Sequence, residues 1–146
     1  MTDNISIKGS CLCKAVRYEL RGDPFNKVLC FCNHCRKASG TLSMANSWYK
    51  KDALTITKGD TLRSYQATSS DSPATLERSF CGQCGSPIML QNQTEYPDLV
   101  VITTGTMDGG SVQEWKPQME LYCRRKPGWL QTPDETKKFQ GGLGQE

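Results

Sequence analysis

The sequence predicts an all-β protein built from several short antiparallel strands. Apolar and polar residues alternate with the two-residue period of a half-buried strand over residues 16–20, 54–56 and 119–123. Further segments are rich in Val, Ile, Thr and aromatic residues, which favour extended backbone. They are residues 27–32, 42–49, 62–66, 76–81, 88–91 and 99–104. Because no segment keeps an apolar stripe at helical spacing over three turns, helices should be few.

Taken in order, each alternating run is bounded by Gly, Pro, Asp or Ser, the residues that form turns. One short helical turn is expected at 35–38, where small and basic residues precede Ser39 and Gly40. Residues 67–75 carry no apolar side chain larger than Ala and predict an exposed loop, and residues 106–112 predict a second loop.

The length of 146 residues fits one domain with a buried core. We place that domain at residues 1–130. Residues 131–146 contain only Phe139 and Leu143 as large apolar residues, so we expect a C-terminal tail that packs on the domain or frays from it.

Charge and cysteine content limit the classes of function. The formal net charge of +3 is small and scattered, so a nucleic-acid partner is not expected. The first ten residues lack the long apolar run of a signal peptide or membrane span, which predicts a cytoplasmic protein without a membrane partner. In a reducing compartment the eight cysteines are better explained as metal ligands than as four disulfides.

Two cysteine pairs predict a structural zinc site. Cys11 and Cys13 are separated by one residue, and Cys81 and Cys84 by two. Closely spaced thiolates converge on one ion, and four soft sulfur donors favour zinc over magnesium or calcium. Gly85 permits the backbone bend that follows the second pair. The expected tetrahedral site would be closed to substrates.

The sequence from Cys30 to Cys35 predicts a different, open site. Cys30, Cys32 and Cys35 can reach one ion and leave a coordination position free, as a catalytic zinc requires. We therefore predict two Zn²⁺ ions per chain. The open site suits an incoming thiol.

Spacing alone leaves alternatives open. His34 or Cys123 would close the second site if either ligated the ion. His34 is otherwise a surface residue or a proton shuttle, and Cys123 a small buried residue in a strand. Cys11 and Cys13 would also be able to join the central three cysteines, or seven thiolates could share one cluster.

The chain resembles the glutathione-dependent formaldehyde-activating enzyme family, which includes centromere protein V-like proteins. The resemblance rests on three motifs in the same order, and extends over residues 8–130. The motifs are Gly9-Ser10-Cys11-Leu12-Cys13, Cys30-Phe31-Cys32-Asn33-His34-Cys35-Arg36-Lys37 and Phe80-Cys81-Gly82-Gln83-Cys84-Gly85.

The resemblance implies a compact, zinc-stabilised β-tent fold with structural zinc at the outer pairs and catalytic zinc at the central three cysteines. Three positions depart from the family pattern. Lys14 stands where Gly is common, Phe31 where many members carry His, and Glu120 where His is frequent.

The resulting hypothesis is a carbon–sulfur lyase or synthase. A thiol such as glutathione would add to a small aldehyde, and Arg36 and Lys37 would attract the carboxylates of the thiol. Two other classes of function remain as rivals. One is a non-catalytic zinc module for protein or nucleic-acid partners, supported by the basic run Arg124-Arg125-Lys126. The other is a redox sensor based on the open cysteine site. The sequence does not indicate the oligomeric state.

Overall fold

The computed structural model describes residues 6–68 and 74–146. Within these residues the chain forms strands and short helices, which confirms the all-β prediction. The strands are β1 (Ser6–Ser10), β2 (Arg17–Arg21), β3 (Asn26–Cys30), β4 (Met44–Lys50), β5 (Leu54–Lys58), β6 (Leu62–Thr68), β7 (Thr75–Cys81), β8 (Pro87–Asn92), β9 (Leu99–Thr103), β10 (Met119–Leu121) and β11 (Lys137–Lys138). The α-helices are α1 (Asn33–Ser39) and α2 (Ser111–Glu114), and 3₁₀ turns cover Lys51–Ala53, Thr104–Thr106 and Cys123–Arg125.

The strands form two sheets. The smaller sheet has the order β1-β2-β5, and the larger has the order β11-β10-β3-β4-β9-β8-β7-β6. Most neighbouring strands are antiparallel, but β10 runs parallel to both β3 and β11. The prediction of antiparallel strands is therefore wrong at this edge, where residues of the C-terminal tail join the sheet.

The two faces of the larger sheet pack against different parts of the chain. One face meets the smaller sheet in an apolar core that includes Val16, Tyr18 and Leu20 from the region of β2 and Val100 and Ile102 from β9. The other face carries a second core with Val28, Cys35, Met44, Leu121 and Phe139. Because side chains alternate along a strand, consecutive residues of β4 and β9 serve opposite faces.

Two strands and one strand end were not correctly predicted. β1 has few strand-forming residues, but it pairs with β2 over its whole length. Gly9 of β1 lies opposite Tyr18, and a Cβ atom at this position would lie 2.0 Å from the tyrosine ring. β11 consists of two lysines with no apolar alternation. The predicted run 119–123 stops at Leu121, because Tyr122 has a positive φ of 58° and Cys123 begins a 3₁₀ turn.

The predicted helical turn is confirmed and is longer, since α1 extends over two turns before Gly40 ends it with a φ of 72°. The predicted loop at 67–75 lies mainly outside the described residues. Of its described part, Ala67 and Thr68 belong to β6 and Thr75 to β7. Among the described residues, no helix has the length and apolar character required to cross a lipid bilayer.

Candidate metal centre

The first group of cysteines joins two tight turns. Cys11 follows β1, Cys81 ends β7, and the Sγ atoms of Cys11, Cys13, Cys81 and Cys84 all lie within 4.8 Å of one another. The backbone N–H of Leu12 donates a hydrogen bond to Ser86 Oγ at 3.0 Å, which links the two turns. Gly85 has a φ of 81°, as the predicted bend requires, and its N–H bonds to the Cys81 carbonyl at 2.8 Å.

The sulfur distances in this group fit a tetrahedral zinc ion. Cys13 Sγ lies 3.6 Å from Cys11 Sγ and 3.8 Å from Cys81 Sγ. Zn–S bonds of 2.3 Å place neighbouring sulfurs about 3.8 Å apart at tetrahedral angles. A disulfide would require about 2.0 Å, and all eight cysteines, which belong to the described residues, are unbridged. Four soft donors at this spacing therefore suit a closed metal site.

Hydrogen bonds to the sulfurs favour thiolates in the first group. The Ser86 hydroxyl and backbone lower the pKa of Cys84 to about 5. A hydrogen bond from Thr61 lowers the pKa of Cys81, while Val16 N–H donates to Cys11 Sγ at 3.2 Å. Donors around ligand sulfurs orient the ligands and tune a metal site. These surroundings favour the thiolate at Cys81 and Cys84, whereas at Cys13 a hydrogen bond from the Ala15 backbone is outweighed by the contacts with the neighbouring sulfurs, which raise the pKa to about 11.

The second group consists of Cys30, Cys32 and Cys35, whose Sγ atoms also lie within 4.8 Å of one another. Cys30 is the last residue of β3, Cys32 caps the N-terminus of α1, and Cys35 lies in the first turn of that helix. The cap forms because Cys32 Sγ accepts a hydrogen bond from Cys35 N–H at 3.2 Å. The strand end and the helix start therefore bring three sulfurs together within six residues.

Hydrogen bonding within the second group prepares one thiolate. Contacts with the Cys30 and Cys35 thiols lower the pKa of Cys32 to about 2, and the charge of Arg78 acts in the same direction. The hydrogen bond to Cys32 raises the pKa of Cys30. Among the described residues, the group close enough to share this ion consists of the three cysteines alone. His34 and Cys123 do not belong to it.

A cavity of about 350 Å³ opens beside the second group, a volume at the lower end of the range for small-molecule sites. Cys30, Cys32, His34 and Cys35 lie on its wall. None of the four cysteines of the first group, all of which the structure describes, lines this cavity. Two of them, Cys11 and Cys81, belong instead to the core between the two sheets. One cysteine group thus lies away from the cavity, and the other borders this ligand-sized space.

The cavity floor is one face of the larger sheet. Trp48 on β4 lies across from Val101 on β9, which lies across from Leu90 on β8 and then Arg78 on β7. Four strands at the usual spacing make this row about 14 Å long. The floor therefore has an aromatic residue at one end, a cation at the other and apolar side chains between them.

Arg78 is a site residue that the motif analysis missed. Its Nη2 atom lies 3.7 Å from Cys35 Sγ and its Nη1 atom 3.9 Å from Met44 Sδ. The predicted substrate residues Arg36 and Lys37 are exposed on α1, and they are not among the described residues that line the cavity. The available signal was a charged residue two positions after Leu76, and therefore on the same face of β7.

The C-terminal tail supplies part of the cavity wall. Gly142, Leu143 and Gln145 line the cavity together with Tyr122. The N–H of Tyr122 donates to the Gly141 carbonyl at 2.8 Å, and buried Phe139 anchors the segment in the second core. Sequence reasoning treated this segment as a tail because its few apolar residues gave no strand pattern.

The fold and the site define a class: an all-β protein with two cysteine groups suited to metal ions, one of four sulfurs away from the cavity and one of three sulfurs beside it. The chain belongs to the family described as glutathione-dependent formaldehyde-activating enzyme, whose family model matches residues 6–125. The chain is therefore part of an enzyme-associated family whose description links it to glutathione and to formaldehyde activation.

A solved structure shares the fold. The crystal structure of a Rhodobacter sphaeroides protein, a structural genomics target, matches with a TM-score of 0.58 and 21% sequence identity. The match covers 73% of this chain and 93% of that chain. Among curated proteins, none matches this chain significantly.

Proposed function

We propose that this protein is a zinc-dependent carbon–sulfur lyase or synthase that makes and breaks the adduct between a glutathione-like thiol and a small aldehyde. The observation that carries this proposal is the contrast between the two cysteine groups. The group with four sulfurs can complete a tetrahedral site with protein ligands alone and none of its members lines the cavity, whereas the group with three sulfurs borders the cavity. A site with three protein donors leaves room for a fourth ligand from the substrate.

In this proposal the two groups have different roles. Cys11, Cys13, Cys81 and Cys84 would hold a structural zinc, while Cys30, Cys32 and Cys35 would hold the catalytic zinc. A zinc ion bound by the second group would keep the sulfur of a substrate thiol ionised at neutral pH. The cavity floor would then align the rest of the thiol along β4, β9, β8 and β7.

The reaction forms one bond and moves one proton. The substrate thiolate attacks the aldehyde carbon, the carbon–sulfur bond forms as the carbon–oxygen π bond breaks, and the resulting alkoxide oxygen takes up the proton that the thiol lost. His34 lines the cavity and is the only histidine in the sequence, so we assign it the transfer of this proton. The reverse reaction breaks the same bond and returns the proton to the thiol.

Arg78 would position the thiol. Its guanidinium contacts Cys35 and lines the cavity, so it places a fixed positive charge beside the point where the sulfur anion must lie. A guanidinium stays charged throughout the physiological pH range. Arg36 and Lys37 remain candidate contacts for carboxylates outside the cavity.

The test combines zinc content with the rate of adduct exchange. We would measure zinc per chain by elemental mass spectrometry and the exchange between ¹³C-formaldehyde and its glutathione adduct by NMR. The proposal expects two zinc ions and accelerated exchange for the wild type. It expects one zinc ion, a retained circular dichroism spectrum and no acceleration for Cys32→Ala.

Cys123→Ala is the matched control, because Cys123 belongs to neither of the two cysteine groups. It should keep both zinc ions and full acceleration. A wild type with two zinc ions but no acceleration would refute the proposed reaction. One zinc ion in the wild type under metal-replete conditions would refute the separate catalytic site.

A further inference from the structure

Three buried polar atoms of residues that line the cavity have no hydrogen-bond partner among residues 6–68 and 74–146. They are Asn46 Oδ1, Trp48 Nε1 and Arg78 Nε. Asn46 is 4% exposed. Buried polar atoms nearly always have partners, and leaving one unpaired lowers the stability of a folded protein. A bound ligand would supply partners to all three.

The strand pattern puts the side chains of Asn46 and Trp48 next to each other on one face of the sheet. Asn46 and Trp48 are two residues apart on β4, so both side chains project from the face that forms the cavity floor. The Trp48 ring is held by an edge-on contact with Phe25, with ring centroids 6.3 Å apart. Packing of the ring against Phe25 therefore fixes the position of the Trp48 N–H.

The two atoms require opposite partners. Asn46 Oδ1 accepts hydrogen bonds, and Trp48 Nε1 donates one. A ligand that satisfies both needs a donor and an acceptor close together, and an amide group carries an N–H and a C=O on adjacent atoms. Arg78 Nε, on the guanidinium that contacts Cys35, adds a charged donor at the sulfur end of the ligand.

From this arrangement we infer that Asn46 and Trp48 form a subsite for an amide group of the substrate thiol. The subsite selects thiols that carry an amide near the sulfur over thiols of similar charge that lack one. This inference rests on the proposed function, because it assigns the cavity beside Cys30, Cys32 and Cys35 to a thiol. It makes Asn46 and Trp48 specificity-determining residues.

The inference is tested with two small thiols on the zinc-loaded protein. N-acetylcysteine carries a thiol, an amide and a carboxylate, whereas 3-mercaptopropionate carries only the thiol and the carboxylate. We would measure both dissociation constants by calorimetry for the wild type, Asn46→Leu and Trp48→Phe. The ratio of the two constants within one variant is then compared with the ratio in the others, which cancels the intrinsic difference between the thiols.

The wild type should prefer N-acetylcysteine by about tenfold, the effect of well-made hydrogen bonds to one group. In both variants this preference should be about tenfold smaller than in the wild type. A wild type without the preference, or variants that keep it, would overturn the inference.

A stability measurement separates substrate recognition from a structural role. If Asn46 Oδ1 is unpaired in the free protein, Asn46→Leu should leave the melting temperature unchanged or raise it. Asn92→Leu is the matched control, because Asn92 Oδ1 accepts a hydrogen bond from Glu95 N–H at 2.9 Å and its loss should lower the melting temperature. A comparable decrease in Asn46→Leu would also overturn the inference.

The adduct exchange assay distinguishes this inference from the proposed function. Preferential binding of N-acetylcysteine that depends on Asn46, without acceleration of any adduct exchange, would refute the reaction and support the subsite. Accelerated exchange with a preference that Asn46→Leu leaves unchanged would support the reaction and refute the subsite.

Discussion

Arg78 Nη2 lies 3.7 Å from Cys35 Sγ, so a fixed positive charge from β7 meets the cysteine group at the start of α1. These residues are 43 positions apart in the sequence. The contact places the guanidinium at one end of the cavity floor next to the second cysteine group. It also gives the site a cation that the motif around Cys30, Cys32 and Cys35 does not contain.

The first prediction concerns this contact. Arg78→Met should lower kcat/KM for adduct exchange by about 10- to 100-fold, because hydrogen bonds to charged groups contribute about 1.5–3 kcal/mol. Arg78→Lys should fall between the wild type and Arg78→Met, since an ammonium cannot match the planar fork that reaches both Cys35 and Met44. Zinc content should stay the same in both variants. Unchanged kcat/KM in Arg78→Met would contradict a positioning role.

The second prediction concerns Cys13, which is exposed although it belongs to the first group. Exposed side chains without a special role usually tolerate substitution within about 0.5 kcal/mol. In its proposed role as a zinc ligand, Cys13 should behave differently. Cys13→Ser should lower the melting temperature strongly and reduce zinc content, because metal binding is coupled to folding.

Leu12 provides the control for Cys13. It lies between the two cysteines of the first pair, and 84% of its surface is exposed. Leu12→Ser should therefore leave both melting temperature and zinc content unchanged. Equal melting temperatures for Cys13→Ser and Leu12→Ser would show that the first group does not stabilise the fold through a metal ion.

The third prediction concerns Glu120, whose side chain is fully buried. Lys126 Nζ lies 2.8 Å from Oε1, Lys138 Nζ lies 3.4 Å from Oε2, and Thr132 and Thr136 donate hydrogen bonds to the carboxylate. Burial raises the pKa of Glu120, but the hydrogen bonds from Lys126, Thr136 and Thr132 outweigh burial and hold the pKa below its ordinary value. Through this network, the segment after Lys126 is bound to Glu120 on β10.

A lowered pKa in the folded state stabilises the protein above the pKa of the unfolded state, which is about 4.3 for glutamate. That contribution should disappear as the pH falls through the folded-state pKa. Glu120→Gln should lower the free energy of unfolding at neutral pH by about 2 kcal/mol, because it removes the charge that pairs with the half-buried Lys126. Urea unfolding at several pH values would measure both effects.

Glu135→Gln is the control, since Glu135 forms an exposed pair with Lys116 at 3.7 Å. Exposed pairs contribute about 0–1 kcal/mol, so this variant should resemble the wild type. The stability difference between the wild type and Glu120→Gln should shrink in acid. A difference that stays constant from neutral to acidic pH would contradict an ionised Glu120 in the folded protein.

The fourth prediction concerns Lys14, which has a positive φ of 65° after the first cysteine pair. A left-handed backbone costs a residue with a Cβ atom about 1–2 kcal/mol, and glycine avoids this cost. Lys14→Gly should therefore raise the free energy of unfolding by about 1 kcal/mol after allowing for the flexibility of glycine in the unfolded chain. Lys14→Ala keeps the unfavourable backbone and should give no increase. Equal stabilities for the two variants would show that the turn is not strained.

The sequence predicted most of the strands because local periodicity is a property of the chain itself. β2 to β9 all overlap predicted segments, and the turn at Gly85 has the expected backbone. β1 and β11 were missed because their residues carry no apolar alternation and their partners are distant in sequence. The end of β10 was missed because the left-handed Tyr122 has no marker in the residue pattern.

By itself, the sequence determined which cysteines lie close enough to share an ion, because thiols one to three residues apart meet in a tight turn. The packing of the sheets decided three other features. It brought both pairs into one group, kept that group apart from Cys30, Cys32 and Cys35, and formed the cavity beside these three. Strand register placed Asn46, Trp48 and Arg78 on one face, and parallel pairing brought the tail to the cavity wall. These relationships join residues that are distant along the chain, so only the folded structure decides them.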